Sequence, residues 1–289
     1  MKSQSQLEKA AATARPGDRI ELADGWYVGG VMMTRSGSPA APVTLHGGRR
    51  AIIDAGSMGR PAVSLKASHW VIRGISVTNG LFGVYVDGGS SNLLDSIEVF
   101  HIGQEGVTFA DFSSDNVLSN SDIHDTGVSI PEYGEGVYIG SPIEHWAQVS
   151  CGQPDRSDRN QVLDNTIGPD VRAEQVDVKE GTSGGVIRGN RLDGRGMIQS
   201  QTWVDSWMEI KGNDYEIVGN HGSNAIRHGF ETVVIERGWG NNNVFRGNVA
   251  DVQAAGYGFK IGGGSGNIVY CNNEVRSAEA GFATVSCTP

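Results

Sequence analysis

The sequence predicts an all-β fold, a right-handed parallel β-helix of about ten coils behind a short N-terminal capping helix, and three observations carry that prediction. Short segments of one type recur along the chain at irregular spacings of roughly 22 to 39 residues, the mark of a solenoid with loops of varied length. Each segment alternates apolar and polar positions with period two, which excludes helical repeats. Composition agrees, since 42 glycines, nine prolines and only 19% charged residues describe a chain dense in turns.

At the N-terminus, Ser5 to Ala14 reads as an amphipathic helix, followed by Pro16-Gly17-Asp18 and a strand from Arg19 to Leu22. Residues 1–18 are expected to cap the first coil, because an open solenoid end offers unpaired backbone to other chains. The recurring strand then reads Gly83-Val84-Tyr85-Val86, Gly106-Val107-Thr108-Phe109, Gly136-Val137-Tyr138-Ile139, Gln175-Val176-Asp177-Val178, Trp207-Met208-Glu209-Ile210, Gly229-Phe230-Glu231-Thr232, Gly258-Phe259-Lys260-Ile261 and Gly281-Phe282-Ala283-Thr284. After it comes an apolar residue with an asparagine three positions on: Val117/Asn120, Val162/Asn165, Ile187/Asn190, Ile217/Asn220, Phe245/Asn248 and Val269/Asn272. Asparagines stacked at about 4.8 Å satisfy one another's amides, so a bend with an asparagine ladder is expected. About ten coils at that spacing make a rod on the order of 48 Å long. All 289 residues fit one domain, with long loops at 141–159, 193–206 and 234–242.

A net charge of -10 and a pI near 5.1 argue against a nucleic-acid partner, which needs a basic surface. No apolar run approaches the roughly 20 residues that span a bilayer, and the opening MKSQSQLEKA has no apolar core of a signal peptide, so a soluble chain is expected. Nothing in the sequence signals an oligomer, and a monomer is expected. Cys151, Cys271 and Cys287 form no zinc-type pair; a Cys271 to Cys287 bridge is one option in an oxidising compartment, leaving Cys151 odd.

If Val84, Val107, Val137, Val176, Met208, Phe230, Phe259 and Phe282 point inward, the residue after each points outward. That outward column reads Tyr85, Thr108, Tyr138, Asp177, Glu209, Glu231, Lys260 and Ala283, and two positions further Lys179 and Lys211 stand beside two of the acids. Stacked like charges disfavour ionisation unless a cation intervenes. Calcium suits such oxygens, and two neighbouring lysines would depress each other's pKa toward that of a usable base. A plain surface charge network is the alternative. The long loops bring Trp146, Trp203 and Trp239 toward this face with Trp207 on it. With Tyr138, Trp203, Trp207 and Trp239 would stack on sugar rings, or the tryptophans would simply anchor the loops. Arg227-His228 is placed at the groove edge as a further catalytic candidate, with Glu135 and Asp111 as weaker ones.

Two stretches resemble the alginate lyase and chondroitin lyase family within the pectate-lyase-like superfamily. AATARPGDRIELADGWY, Ala11 to Tyr27, looks like that family's cap and first strand, and EQVDVKEGTSGGVIRGN, Glu174 to Asn190, looks like its catalytic-lysine segment. The resemblance implies a secreted polysaccharide lyase acting on an acidic polysaccharide: a uronic carboxylate is neutralised, often by calcium, Lys179 removes the C5 proton, and β-elimination follows. It also implies Glu174 as a calcium ligand, with Asp177, Glu209 and Glu231 expected to complete the set. The family's arginine followed by His-Gly is replaced here by Lys211-Gly212, and lysine lacks arginine's bidentate fork. A glycoside hydrolase using stacked carboxylates, a uronan C5-epimerase and a non-catalytic glycan-binding rod remain open as alternatives.

Overall fold

The computed structural model describes residues 1–198 and 204–289, and it is a right-handed parallel β-helix of three sheets with ten strands each. Every coil contributes one strand to each sheet, and every pairing between coils is parallel, so strand n pairs with strand n+3 along the chain. The first sheet runs from Arg19–Glu21 to Ile268–Val269, the second from Gly25–Val28 to Glu274–Ala278, and the third from Val31–Met33 to Gly281–Ala283. The recurring strand of the sequence is the third sheet, with two further coils ahead of Val84.

Inside the coil the core changes character along the axis. Val84, Val107, Val137 and Val176 stack in the early coils, while Met208, Phe230 and Phe259 occupy the same column later, all fully buried. Phe230 and Phe259 lie nearly parallel with centroids 5.1 Å apart. Each such ring contributes about 1.5–3 kcal/mol by leaving water. The helix Gln4–Thr13, capped by the Ser3 side chain, lays Leu7 and Ala11 on the first coil and closes that end of the core. At the other end Cys271 and Cys287 are disulfide-bonded, Thr288 pairs with Tyr270, and Cys151 is an exposed free thiol.

The asparagine ladder is present but runs through different residues at both ends. Asn165, Asn190, Asn220, Asn248 and Asn273 form it, each Nδ2 donating to the next Oδ1 at 2.9–3.0 Å. Asn272 is displaced by one extra residue in the last bend. Asn120 is not a member, because Leu118 rather than Val117 aligns with Val162, and Ser121 takes the ladder position. A second ladder, Asn92–Asn116–Asn160, lines the bend before the first sheet.

Asn190 is fully buried and its side chain serves the Asn165 amide, the Asn165 backbone N–H, the Val162 carbonyl and Asn220. Each buried group left unpaired costs about 1–3 kcal/mol. Asn190→Ala is therefore expected to lower unfolding free energy by about 3 kcal/mol or more, and exposed Asn120→Ala by about 1 kcal/mol or less, as read from urea denaturation. Equal effects would contradict the ladder assignment.

Candidate active site

The outward face of the third sheet carries the charges. Parallel pairing sets Tyr138 beside Asp177, Asp177 beside Glu209, Glu209 beside Glu231 and Glu231 beside Lys260. Side chains one coil apart are forced within about 5 Å, so like charges here must be neutralised or protonated. All of these groups point away from the apolar core, yet Asp177 and Glu231 are each 2% exposed. The expectation of a solvent-facing acid column is corrected on that point: the lysines and the flanking loops cover it.

Asp177 is the hub. Its two oxygens accept from two ammonium groups, Lys179 Nζ at 2.5 Å and Lys211 Nζ at 2.7 Å, and Lys211 also pairs with Glu209. Burial raises a carboxyl's pKa, but the two lysines outweigh it and hold Asp177 below the usual range. Burial pulls the lysines down, and the acids more than reverse this: Asp177 and then Glu135 hold Lys179 protonated, Asp177 and Glu209 hold Lys211 protonated. The sequence-based expectation that Lys211 brings Lys179 toward neutral pKa is thus corrected, since the acids around each lysine outweigh the neighbouring ammonium. Lys179 Nζ also lies 4.8 Å from the centroid of the Tyr138 ring, a cation–π contact. Burial, then the charge of Asp177, pushes the Tyr138 phenol well above its ordinary value, so it keeps its proton.

A second column starts three positions earlier on each strand. The backbone N–H of Gly106 donates to the Glu135 carbonyl and that of Gly136 to the Glu174 carbonyl, which places Glu105, Glu135 and Glu174 on successive coils. Glu135, Glu174 and Asp177 are all buried, and one oxygen from each lies within 4.8 Å of the others. Burial first and Asp177 second push Glu135 up to about 7, and the same causes raise Glu174 well above the carboxylate range. Glu135 Oε2 is buried with no hydrogen-bond partner among the described residues. Three converging carboxyl groups that raise one another's pKa are the donor set that a hard cation such as calcium takes.

Comparison with known proteins follows the same lines. Residues 1–135 match the family described as "Pel9A-like, right handed beta helix region". A search by sequence among curated proteins returns no match. Among solved structures, the alginate lyase from Paenibacillus sp. str. FPU-7 is 32% identical with a TM-score of 0.85, covering 96% of this chain and 97% of its own. This chain belongs to the parallel β-helix polysaccharide lyases. The pectate lyase Pel9A, 16% identical over 97% of this chain and 75% of its own with a TM-score of 0.60, shares the fold. So does a mannuronic acid specific polysaccharide family 6 lyase from human gut microbiota, 12% identical over 90% of this chain and 66% of its own with a TM-score of 0.56.

In the lyase, the residues singled out by sequence separate into three groups. Lys179, Lys211, Glu174, Asp177, Glu209 and Tyr138 come together. Arg227, His228 and Glu231 gather instead around Asp205 and Lys260, where Glu231 Oε1 accepts from Lys260 Nζ at 2.6 Å and Arg227 reaches Asp205 at 3.5 Å. Glu209 and Glu231 thus face lysines, and the carboxyl that joins Glu174 and Asp177 is Glu135. The tryptophans form the third group. Trp207 is fully buried, which corrects its placement on the groove: it lies within the strand Ser206–Ile210 with its ring packed over Gly222, where a Cβ would come within 2.4 Å of it. Trp146 anchors its loop by donating to the Ser141 carbonyl at 2.9 Å. Trp239 is half-buried with the Arg156 guanidinium 6.0 Å from its centroid, joining the 141–159 and 234–242 loops, and Trp203 falls outside the described residues.

Glu135 was underrated by sequence reasoning because it precedes the strand motif. The signal was available: glutamate stands just before the strand at Glu105, Glu135 and Glu174 on successive coils.

Two outcomes follow for the lyase. Lys211→Ala leaves Asp177 and Glu209 buried with one ammonium fewer and is expected to cost about 3–5 kcal/mol, whereas Lys179→Ala costs less because Lys211 still pairs with Asp177; urea midpoints compare them. Glu231 is pushed from 4.5 up to about 8 by burial and by its hydrogen bond with Asp205, against the pull of Lys260. A raised carboxyl favours folding most below its unfolded pKa and loses that contribution as pH rises through its folded one. Glu231→Gln should therefore gain stability relative to the parent between about pH 5 and pH 9 in urea melts. An unchanged difference would mean that Glu231 is already ionised at neutral pH.

Proposed function

We propose that the protein is an extracellular lyase that cleaves a uronate-containing polysaccharide by β-elimination, with Lys179 as the proton-abstracting base. The observation that carries this is the position of Lys179: on the outward face of the third sheet its ammonium lies between a buried acid cluster and the Tyr138 ring, with 14% of its side chain exposed, while that of Lys211 is 7% exposed. One lysine is reachable and the other is structural.

Elimination needs a neutralised carboxylate, a base at C5 and a proton for the departing C4 oxygen. Glu135, Glu174 and Asp177 fit a calcium ion, which when bound supplies the positive charge that offsets the uronic carboxylate and eases loss of the Lys179 proton. Asp177, whose two oxygens accept from Lys179 and Lys211, would be shared with such a cation and would then hold the Lys179 ammonium less tightly. Neutral Lys179 takes the C5 proton, the electron pair forms the C4–C5 double bond, and the C4–O bond breaks. Tyr138, which keeps its phenolic proton, donates to the departing oxygen.

Incubation with a panel of uronic polymers should produce the ultraviolet absorbance of an unsaturated product, and Lys179→Ala should reduce that rate by about 10³-fold or more, within the range for a lost general base. New reducing ends without absorbance would point to hydrolysis instead. For the cation, chelation should lower the melting temperature and calcium should restore it in the parent but not in Glu174→Gln. No response to either treatment leaves the lysines as the sole neutralising groups.

A further inference from the structure

Beyond the acid trio, the outward face of the third sheet carries on later coils a second polar cluster that the proposed chemistry does not use. We propose that Asp205, His228, Glu231 and Lys260 form a subsite that binds the carboxylate of a second uronic residue of the same glycan chain. This deepens the uronate reading and rests on it. Glu231 lies two strands along from Asp177 in the register, so the subsite is roughly 10 Å from the Lys179 centre at the spacing of parallel strands.

His228 supplies the decisive observation. It is 4% exposed, and its Nδ1 accepts the Tyr257 backbone N–H at 3.0 Å. Burial outweighs the attraction of Asp205 and lowers its pKa to about 4, so at neutral pH the ring is uncharged and its proton sits on Nε2. That Nε2–H has no hydrogen-bond partner among the described residues; Asp205 Oδ2, at 3.7 Å, is beyond hydrogen-bond reach. A buried donor left unmade is costly unless a ligand takes it.

Charge points the same way. Lys260 Nζ contacts Glu231 Oε1 at 2.6 Å and Asp205 Oδ2 at 3.5 Å, and Arg227 reaches Asp205 from the rim. Glu231 and Asp205 share a hydrogen bond, which requires a proton on one of them, and Glu231 is the carboxyl raised to about 8. Near neutral pH two cations thus face one carboxylate, and an anion with a hydrogen-bond-accepting oxygen completes the balance. A neutral sugar would satisfy the donor but leave the excess charge.

The experiment uses the full chain and size-defined oligouronates of two lengths from a polymer that the parent protein cleaves. The readout is the ratio of kcat/KM for the long oligomer to that for the short one, which cancels effects common to both. Lys260→Met and His228→Asn, the latter keeping an acceptor for the Tyr257 N–H, should each lower the ratio about tenfold, chiefly through KM. Glu231→Gln, which mimics the protonated acid, should lower it by less than threefold. Ratios unchanged in both Lys260→Met and His228→Asn overturn the subsite while leaving the lyase reading intact. A parent protein that cleaves no uronic polymer overturns the reading and the subsite together.

Discussion

Parallel in-register stacking is the constraint on which this structure depends. Each position of one coil sits about 4.8 Å from its counterpart on the next, so any column of the helix behaves as a ladder of like or unlike groups. Apolar columns become a continuous core, and asparagine columns satisfy their own amides. On the outward face of the third sheet the same geometry stacks Asp177, Glu209 and Glu231, which cannot coexist as three charges without compensation. Lys211 between Asp177 and Glu209, and Lys260 against Glu231, are that compensation.

Buried ion pairs of this kind contribute little net stability, because desolvation offsets most of the attraction. What they contribute here is fixed geometry. Asp177 holds Lys179 in place because Lys179 and Lys211 together keep it ionised inside the protein, and Lys211 is in turn oriented by Glu209. Lys179 is thereby positioned by Asp177 and Lys211, both more deeply buried than it is. The acid trio is the complementary case: among the described residues Glu135 and Glu174 have no ion pair of their own, and burial beside Asp177 raises both.

Much of this was legible in the sequence because a solenoid converts spacing into contact. Alternation around Val176, Met208 and Phe230 fixes which residues face out, and repetition fixes which of them are neighbours. Three things were not legible. Burial of Asp177 depends on side-chain covering by lysines and loops, which periodicity does not report. Trp207 breaks the alternation of its strand, Ser206–Ile210, where two successive residues, Trp207 and Met208, are both buried in the core. The proton balance of Lys179 depends on how many carboxyls surround it in space, and Glu135 comes from another coil.

The central claim is that a uronic residue lies on the outward face of the third sheet with its reacting carbon at Lys179. The most direct measurement is a crystal structure of the Lys179→Ala variant with calcium and an oligouronate. The account predicts a sugar ring beside Tyr138, its carboxylate toward Glu135, Glu174 and Asp177, and its C5 proton directed at the space vacated by the lysine side chain. An oligosaccharide bound on the first or second sheet, or along the third with its carboxylate turned away from that trio, would contradict it.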